Sequence, residues 1–260
     1  MGDLTTEMLG IGETPARLIF EARQEMVVCG SEEAAQMFEL LGAEASRTVR
    51  SGRKLNGGGL ILVAEGTAGS LHRGWKAAQT IVEWASGVAT ATAAIVSGAA
   101  GIPVACTRKN VPGTKAMAAK AVRAGGGIMH RLGLSESVLL FPEHRLFLHE
   151  SPDRVIALLR QQQPEKKVIV EVGSIDEALI WARAGADVLQ LEKFSPEQVE
   201  TCRITLNRWP GMQSPLLAAA GGIHAGNANA YAAAGADLLV TSAPYMAPPK
   251  DVRVTFSKIA

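Results

Sequence analysis

Short apolar runs recur through the second half of the chain, and helix-sized segments separate most of them. Runs this short and this apolar are typical of strands that are buried on both faces of a parallel sheet. Because parallel strands need long crossover connections, the segments between them predict helices. The pattern predicts an α/β fold with a partial barrel of six strands, at PVACT (103–107), SVLLF (137–141), KVIVEV (167–172), DVLQL (187–191), PLLAA (215–219) and DLLVT (237–241).

Two of these runs end an internal repeat. ARAGADVLQL (182–191) and AAAGADLLVT (232–241) each combine a helix end at Ala-Gly with an Ala-Asp step into an apolar strand. A match this short predicts repeated β/α units rather than a solenoid. In such a sheet, ligands bind at the carboxyl ends of the strands.

The first part of the chain mixes strands and helices. Strands are predicted at 16–22 and at 59–66, the second after a turn of three glycines. A helix is predicted at 31–43, capped by Ser31, and a longer helix at 71–97, where apolar residues recur at helical spacing.

A short alternating segment, VRVTF, lies near the C-terminus and predicts an edge strand that returns to the first part of the chain. We therefore expect an N-terminal α/β sandwich domain over residues 1–97. The α/β barrel domain is expected over residues 98–245, and residues 246–260 are expected to return to the first domain.

Composition and charge narrow the classes of partner. The 260 residues carry 26 Lys and Arg against 25 Asp and Glu, a net charge of +1, so no global field holds DNA or an anionic membrane. Aromatic residues make up only 5% of the chain, too few to interleave with basic groups and stack nucleic-acid bases. Three scattered cysteines form no disulfide framework and no metal-binding spacing, which favours the reducing cytoplasm.

One stretch is long and uncharged enough to test as a membrane span. Residues 84–107 carry no charge, but they are mostly small residues and are interrupted by Gly98, Gly101 and Pro103. A helix that ends near Ser97, followed by a turn and a buried strand, explains this stretch better. The N-terminus lacks a cationic and an apolar region, so we expect neither a signal peptide nor a membrane partner.

Polar side chains follow the predicted barrel strands at their carboxyl ends. Arg108 and Lys109 follow the first strand, and the carboxylates Glu171 and Glu192 lie at the ends of two later strands. Each of them alone fits a solvated loop residue. Together, two carboxylates and a pair of cations at one mouth suit a polyphosphate substrate with a divalent metal.

Two further segments point to phosphate. In AAGGIHAGN, Gly221 and Gly222 lie between a strand and a predicted helix start, where backbone N–H groups approach an anion, and Ser242 ends the next strand. The segment 107–137 is rich in basic residues, which suits a small molecule bearing phosphate or carboxylate groups. Its basic residues are Arg108, Lys109, Lys115, Lys120, Arg123, His130 and Arg131, of which Lys120 and Arg123 fit solvated helix positions.

These segments resemble the successive motifs of the quinolinate phosphoribosyltransferase superfamily. The matching motifs are TRKNVPG, RAGGGIMHRLGLSE, VEVGSIDEAL…AGADVLQLE and AAGGI, with GDLTT and SGVAT upstream. They follow one another in the family's order over nearly the whole chain. The resemblance implies an N-terminal α/β sandwich, a partial barrel, and a homodimer whose sites lie at the subunit interface.

The resemblance also implies the substrate and the residue roles. The donor would be phosphoribosyl diphosphate with Mg²⁺. Arg108, Lys109, His130 and Arg131 would form a basic pocket for the diphosphate and for the acceptor's carboxylates. Glu171 and Glu192 would hold the metal and ribose hydroxyls, while Gly221, Gly222 and Ser242 would receive the 5′-phosphate.

The chain departs from the family pattern mainly in the acceptor half of the site. The family has Glu-Arg-Thr where this chain has Trp75-Lys76-Ala77, and the Arg reaches into the neighbouring subunit's pocket. The family also has a Lys that binds acceptor carboxylate where this chain has Phe141. Replacing a cation by Phe removes a charge-assisted hydrogen bond of about 1.5–3 kcal/mol, so we expect quinolinate to be a poor acceptor. Smaller departures are Cys106, Met129, Glu192 and Ala220, in place of Asp, Asn, Asp and Ser.

These departures resemble the ModD branch of the superfamily, which is associated with molybdenum transport genes. The first hypothesis is a phosphoribosyltransferase whose acceptor is less acidic than quinolinate. A second is a non-catalytic protein of molybdate metabolism that binds an oxyanion or a phosphate. A third is quinolinate phosphoribosyltransferase activity with altered contacts. The pair Glu171 and Glu192 favours an enzyme, because two carboxylates repel a bare oxyanion.

Overall fold

The computed structural model describes residues 2–209 and 214–259. The chain forms two compact units. The first comprises the residues up to 93, residues 111–126 and the residues from 244 onward, and the second comprises residues 94–110 and 127–243. The predicted domain boundaries at 97/98 and 245/246 stay a prediction.

Strands and helices alternate regularly from β9 to β12, and less regularly before that. The strands are β1 (Pro15–Ala22), β2 (Met26–Val27), β3 (Glu44–Arg47), β4 (Lys54–Leu55), β5 (Leu60–Thr67), β6 (Val104–Cys106), β7 (Ile128–Met129), β8 (Val138–Leu140), β9 (Val168–Val172), β10 (Val188–Glu192), β11 (Leu216–Ala220), β12 (Leu238–Thr241) and β13 (Val252–Lys258). The helices are α1 (Leu4–Met8), α2 (Ser31–Leu40), α3 (Ala68–Gly98), α4 (Lys115–Ala124), α5 (Pro142–Arg145), α6 (Pro152–Gln162), α7 (Ile175–Arg183), α8 (Pro196–Asn207) and α9 (Ala228–Ala233), with a 3-10 turn at Ala243–Met246.

The first unit is built on an antiparallel sheet in the order β13-β1-β5-β3. Alternate residues of β1, among them Leu18 and Phe20, are fully buried, and the Phe20 ring meets the edge of Phe38 from α2 at 6.0 Å between centroids. Strand β13 pairs with β1 from Ala16↔Lys258 to Ala22↔Val252. The predicted edge strand near the C-terminus is therefore confirmed.

The start of α2 differs from the sequence prediction. The N-cap residue is Gly30, with φ of +91°, rather than Ser31. Ser31 is the first helical residue, and its hydroxyl donates to the carbonyl of Val49 at 2.9 Å. The N-cap position needs a positive φ, which glycine adopts without strain. The prediction chose Ser31 because Ser is a common capping residue, and a sequence pattern does not reveal the φ angle.

The second unit contains a parallel sheet in the order β7-β6-β12-β11-β10-β9-β8, an open barrel. All six predicted strands are present as β6, β8, β9, β10, β11 and β12, which confirms the α/β fold. The number of strands was wrong, because the described residues include a seventh, β7. This strand has two residues, and one of them, Ile128, is 50% exposed, so it leaves no apolar run in the sequence.

The internal repeat corresponds to a repeated polar clamp at the amino end of the sheet. Asp187 accepts the Val168 N–H at 2.7 Å, and the Arg160 guanidinium donates to Asp187 at 2.8 Å and to the Gly185 carbonyl at 2.7 Å. The clamp ties a helix to two neighbouring strands, so the Gly-Ala-Asp sequence is structural. The second copy uses Asp237, Leu217, Arg203 and Gly235.

Helix α3 is long and apolar enough to cross a membrane by length and composition, a test that the core helix of a soluble protein also passes. It ends at Gly98, and β6 follows after a turn, as the sequence predicts. Ala78 and Val82 are fully buried in the core of the first unit, and Ile95 belongs to the core of the second. We therefore interpret α3 as a core helix.

Candidate active site

A cavity of about 740 Å³ opens at the carboxyl ends of the parallel strands in the second unit. Residues at or after every strand of the sheet line it, so the cavity is the mouth of the open barrel. The charged side chains around the mouth are grouped by strand, with cations after β6 and β7 and carboxylates at β9 and β10. The lining side chains and backbone that carry the argument are Thr107, Arg108, Lys109, His130, Arg131, Phe141, Glu143, Glu171, Gln190, Glu192, Lys193, Gly221, Gly222, His224, Thr241 and Ser242.

The ends of β6 and β7 form a basic side of the cavity. Arg108 and Lys109 are exposed to it, whereas Arg131 is only 7% exposed. Burial and the nearby charge of Arg108 lower the pKa of Arg131 from its ordinary value. Three cations held together in this way favour a ligand that carries several negative charges.

His130 lies on the same side, and its backbone N–H donates to the Cys106 carbonyl at 2.9 Å. Burial, followed by the charge of Arg131, lowers the pKa of His130 below its ordinary value. Its Nε2 atom is buried without a hydrogen-bond partner in the described structure. A neutral imidazole with one open nitrogen is suited to hydrogen bonding with a ligand.

The ends of β9 and β10 form an acidic side. Gln190 in β10 donates from Nε2 to Glu171 Oε2 at 2.6 Å, which orients the Glu171 carboxylate. Burial raises the pKa of Glu171, and the charges of Glu192 and Glu143 raise it further, against the opposing hydrogen bond from Gln190 and the charge of Lys109. Carboxylates this close together gain most from a bound cation.

Between the two sides, β11 ends in a glycine turn. Gly221 and Gly222 have φ of +85° and +80°, and a Cβ atom at Gly221 would lie 2.9 Å from Lys193 Cγ. The end of β12 is tied to this turn, because the hydroxyl of Thr241, its last residue, donates to the Ile223 carbonyl at 2.7 Å. As predicted, the two glycines lie between a strand and a helix, but α9 begins only at Ala228 and has six residues. A phosphate here would be bound by loop N–H groups rather than by a helix terminus.

The end of β8 is aromatic. The Phe141 N–H donates to His144 Nδ1 at 3.0 Å, and the two rings stack with centroids 5.7 Å apart. The Arg131 guanidinium carbon lies 5.5 Å from the centroid of the Phe141 ring. Because Arg131 follows β7 and Phe141 follows β8, this contact joins the two edge strands of the open sheet.

Comparison with known proteins identifies the family. The sequence models of the N-terminal and C-terminal domains of quinolinate phosphoribosyl transferase match residues 3–86 and 88–255. The chain belongs to the quinolinate phosphoribosyl transferase family. Membership in this family makes it an enzyme of the phosphoribosyltransferase class.

The relatives come from two branches of this family. The pyrophosphorylase ModD of Rhodobacter capsulatus is 50% identical over 233 residues, which cover 87% of this chain and 88% of that protein. The pyrophosphorylase ModD of Escherichia coli O6:H1 is 40% identical over 270 residues, with 100% and 93% coverage. The crystal structure of NadC from Streptococcus pyogenes is similar with a TM-score of 0.89 at 25% identity, and the match covers 99% of this chain and 92% of that one.

The structure brings ten of the eleven predicted site residues together around the cavity. They are Arg108, Lys109, His130, Arg131, Phe141, Glu171, Glu192, Gly221, Gly222 and Ser242. Lys76 is not among the lining residues. It lies exposed on α3 in the first unit, with its Nζ 4.0 Å from the centroid of the Trp75 ring and 3.2 Å from Gln79 Oε1.

Sequence reasoning missed several lining residues. Gln190 is a polar residue within the apolar run 188–191, and Glu143 follows β8 where the family pattern has Asn. Lys193, which directly follows Glu192, also lines the cavity and has φ of +60°. Lys120 is not a freely solvated helix residue either. Its Nζ pairs with Glu32 at 3.0 Å and Glu33 at 2.7 Å in the first unit.

Proposed function

We propose that the chain transfers a phosphoribosyl group from phosphoribosyl diphosphate to an acceptor ring that is less acidic than quinolinate, and releases diphosphate. The observation that carries the proposal is the separation of charge around one cavity. Cations follow β6 and β7, a glycine turn follows β11, and carboxylates end β9 and β10. Phosphoribosyl diphosphate carries one group for each of these three regions: a diphosphate, a phosphate and a ribose.

The basic side is the diphosphate subsite in this proposal. Arg108, Lys109 and Arg131 supply forked and point-charge donors for its oxygens. The 5′-phosphate is bound by the turn at Gly221 and Gly222 with Ser242, where positive φ angles leave backbone N–H groups open to an anion.

The acidic side would hold Mg²⁺. Glu171 and Glu192 offer the oxygen ligands that this ion prefers, and their mutual repulsion, which raises the pKa of Glu171, fits a cation between them. Within the described residues, three or more ligating side chains are nowhere grouped as a complete metal site. Two carboxylates suit Mg²⁺ nonetheless, because this ion commonly takes its other ligands from water and substrate phosphates. When bound, it would neutralise charge on the departing diphosphate.

The residues of the chain then favour transfer in the following way. The bond between the anomeric carbon and the diphosphate oxygen breaks, and its electron pair leaves with the diphosphate, whose charge Arg108, Lys109 and Arg131 stabilise. Positive charge builds on the anomeric carbon, and the carboxylates of Glu171 and Glu192 offset it. The lone pair of an acceptor ring nitrogen forms the new bond, so no general base is required. Neutral His130 donates a hydrogen bond rather than shuttling a proton.

The acceptor half of the site supports an acceptor other than quinolinate. Phe141 stands where the family pattern has a Lys, so a carboxylate placed there loses a charge-assisted hydrogen bond of about 1.5–3 kcal/mol. A homodimer in which a second copy contributes Lys76 belongs to the proposal, as do the cytoplasmic location and the link to molybdenum. The homodimer and the molybdenum link rest on the family resemblance, and the cytoplasmic location rests on the three scattered cysteines.

The test is turnover followed by phosphorus NMR. Protein, phosphoribosyl diphosphate and Mg²⁺ are incubated with a panel of heterocyclic bases, with quinolinate as the expected negative. Base-dependent formation of diphosphate supports the proposal. Absence of diphosphate with every base, together with tight binding of molybdate or phosphate, favours the second candidate, an oxyanion-binding protein. In that case the basic side would bind the oxyanion without catalysing a reaction.

A further inference from the structure

The residues after β8 give one corner of the cavity an unusual chemistry. This β8 corner consists of Phe141, Glu143 and His144, of which Phe141 and Glu143 line the cavity. His144 Nδ1 accepts the Phe141 N–H at 3.0 Å, which fixes the imidazole beside the Phe141 ring. Glu143 is the carboxylate that the β8 corner presents to the cavity.

Glu143 acts on the same space as the catalytic carboxylates. Glu143 and Glu171 line the same cavity, so the two carboxylates face one space. A further carboxylate from a bound acceptor would add a third charge of the same sign. Because like charges that face one cavity repel each other, the two carboxylates oppose binding of an acceptor that carries a carboxylate.

Arg131 does not replace the cation that Phe141 removes. Arg131 is only 7% exposed, and its guanidinium carbon lies 5.5 Å from the centroid of the Phe141 ring, so this point presents an aromatic face rather than a free charge. The exposed edge of the β8 corner consequently offers one flat apolar ring and one hydrogen-bond acceptor.

We infer that Glu143 is a specificity-determining residue that selects a planar acceptor ring bearing an N–H donor and no carboxylate. The ring packs against Phe141, and an amide, amino or ring N–H group donates to the Glu143 carboxylate. This inference rests on the proposed function, because it assigns the acceptor class of the same site.

The test compares two rings of the same shape. Pyridine-3-carboxamide and pyridine-3-carboxylate are titrated calorimetrically into the protein with phosphoribosyl diphosphate and Mg²⁺ present. The unmodified protein is expected to bind the carboxamide more tightly. Glu143→Gln, which keeps the side-chain shape, should reduce that preference about tenfold, and Glu143→Lys should reverse it. Glu200→Gln, which changes an exposed carboxylate outside the cavity lining, should leave the preference unchanged.

Equal affinity for the two rings in the unmodified protein, or a preference that Glu143→Gln leaves unchanged, would overturn the inference. Binding of phosphoribosyl diphosphate in the same samples separates this result from failure of the proposed function. When the diphosphate binds and the ring preference is absent, the acceptor assignment alone is wrong. When it does not bind to the unmodified protein, the proposed function is wrong.

Discussion

The guanidinium of Arg131 lies 5.5 Å from the centre of the Phe141 ring, and the two residues follow the opposite edge strands, β7 and β8, of the open parallel sheet. The contact is therefore a link across the open side of the barrel mouth. It is also the place where the chain has lost a cation relative to its family pattern. A Lys at position 141 would stand beside Arg131 and repel it.

Phe141→Leu is expected to lower the free energy of unfolding by about 1 kcal/mol, because the cation–π contact disappears while an apolar side chain remains. It should also weaken binding of phosphoribosyl diphosphate, because Arg131 loses the aromatic ring against which its guanidinium lies. Phe147→Leu is the matched control, as Phe147 is 81% exposed. Denaturant unfolding of both variants measures the effect, and equal stabilities would contradict it.

Glu171→Gln is expected to stabilise the fold at neutral pH. The folded state holds the Glu171 proton more tightly than the unfolded state does, because burial and Glu192 raise its pKa above 4.5. The tighter binding of this proton in the folded state favours folding below pH 4.5, and this stabilisation is lost as the pH rises through the raised pKa. The gain of the variant over the unmodified protein should therefore appear at pH 8 and vanish in acid. A variant that is less stable at pH 8 would contradict this cause.

Glu32→Gln is expected to destabilise the first unit at neutral pH, and this effect should disappear in acid. Burial raises the pKa of Glu32, but hydrogen bonds from Ser51 and the ion pair with Lys120 outweigh it and lower the pKa to about 2. The resulting stability is present above the usual value of 4.5 and is lost as the pH falls toward 2. At pH 7 the loss should be about 2 kcal/mol, with Glu39→Gln on the same helix as the control.

Gly221→Ala and Gly222→Ala should differ although both change a residue with positive φ. A Cβ at Gly221 would meet Lys193 N at 3.0 Å, whereas a Cβ at Gly222 would meet nothing within 4 Å. Backbone strain costs about 1–2 kcal/mol in either variant, and only Gly221→Ala adds a steric clash. Urea midpoints should therefore fall further for Gly221→Ala, and equal midpoints would show that Lys193 moves aside freely.

The sequence predicted six strands of the barrel because most of their residues are apolar and buried. It also located the strand ends, where Glu171 and Glu192 face one cavity, because polar residues interrupt the apolar pattern there. Strand β7 escaped prediction because a two-residue strand with one half-exposed side chain has no apolar run.

Other features depend on contacts that a pattern does not contain. Gln190 belongs to the site through its hydrogen bond to Glu171. In the sequence it is a single polar residue among apolar ones, and nothing there shows that it faces the cavity. The partners of Lys120, Glu32 and Glu33, lie far from it in sequence, so their ion pairs are visible only in the folded chain. The start of α2 at Gly30 depends on a backbone angle rather than on a side-chain cap.

Calorimetric titration of phosphoribosyl diphosphate, with and without Mg²⁺, tests the central claim most directly when it is repeated on Glu171→Gln and on the control Glu200→Gln. Mg²⁺-dependent binding in the micromolar range that Glu171→Gln loses and Glu200→Gln retains is the predicted result. No binding by the unmodified protein at millimolar ligand, or binding that is indifferent to Mg²⁺ and to Glu171, would contradict the claim that this cavity is a phosphoribosyltransferase donor site.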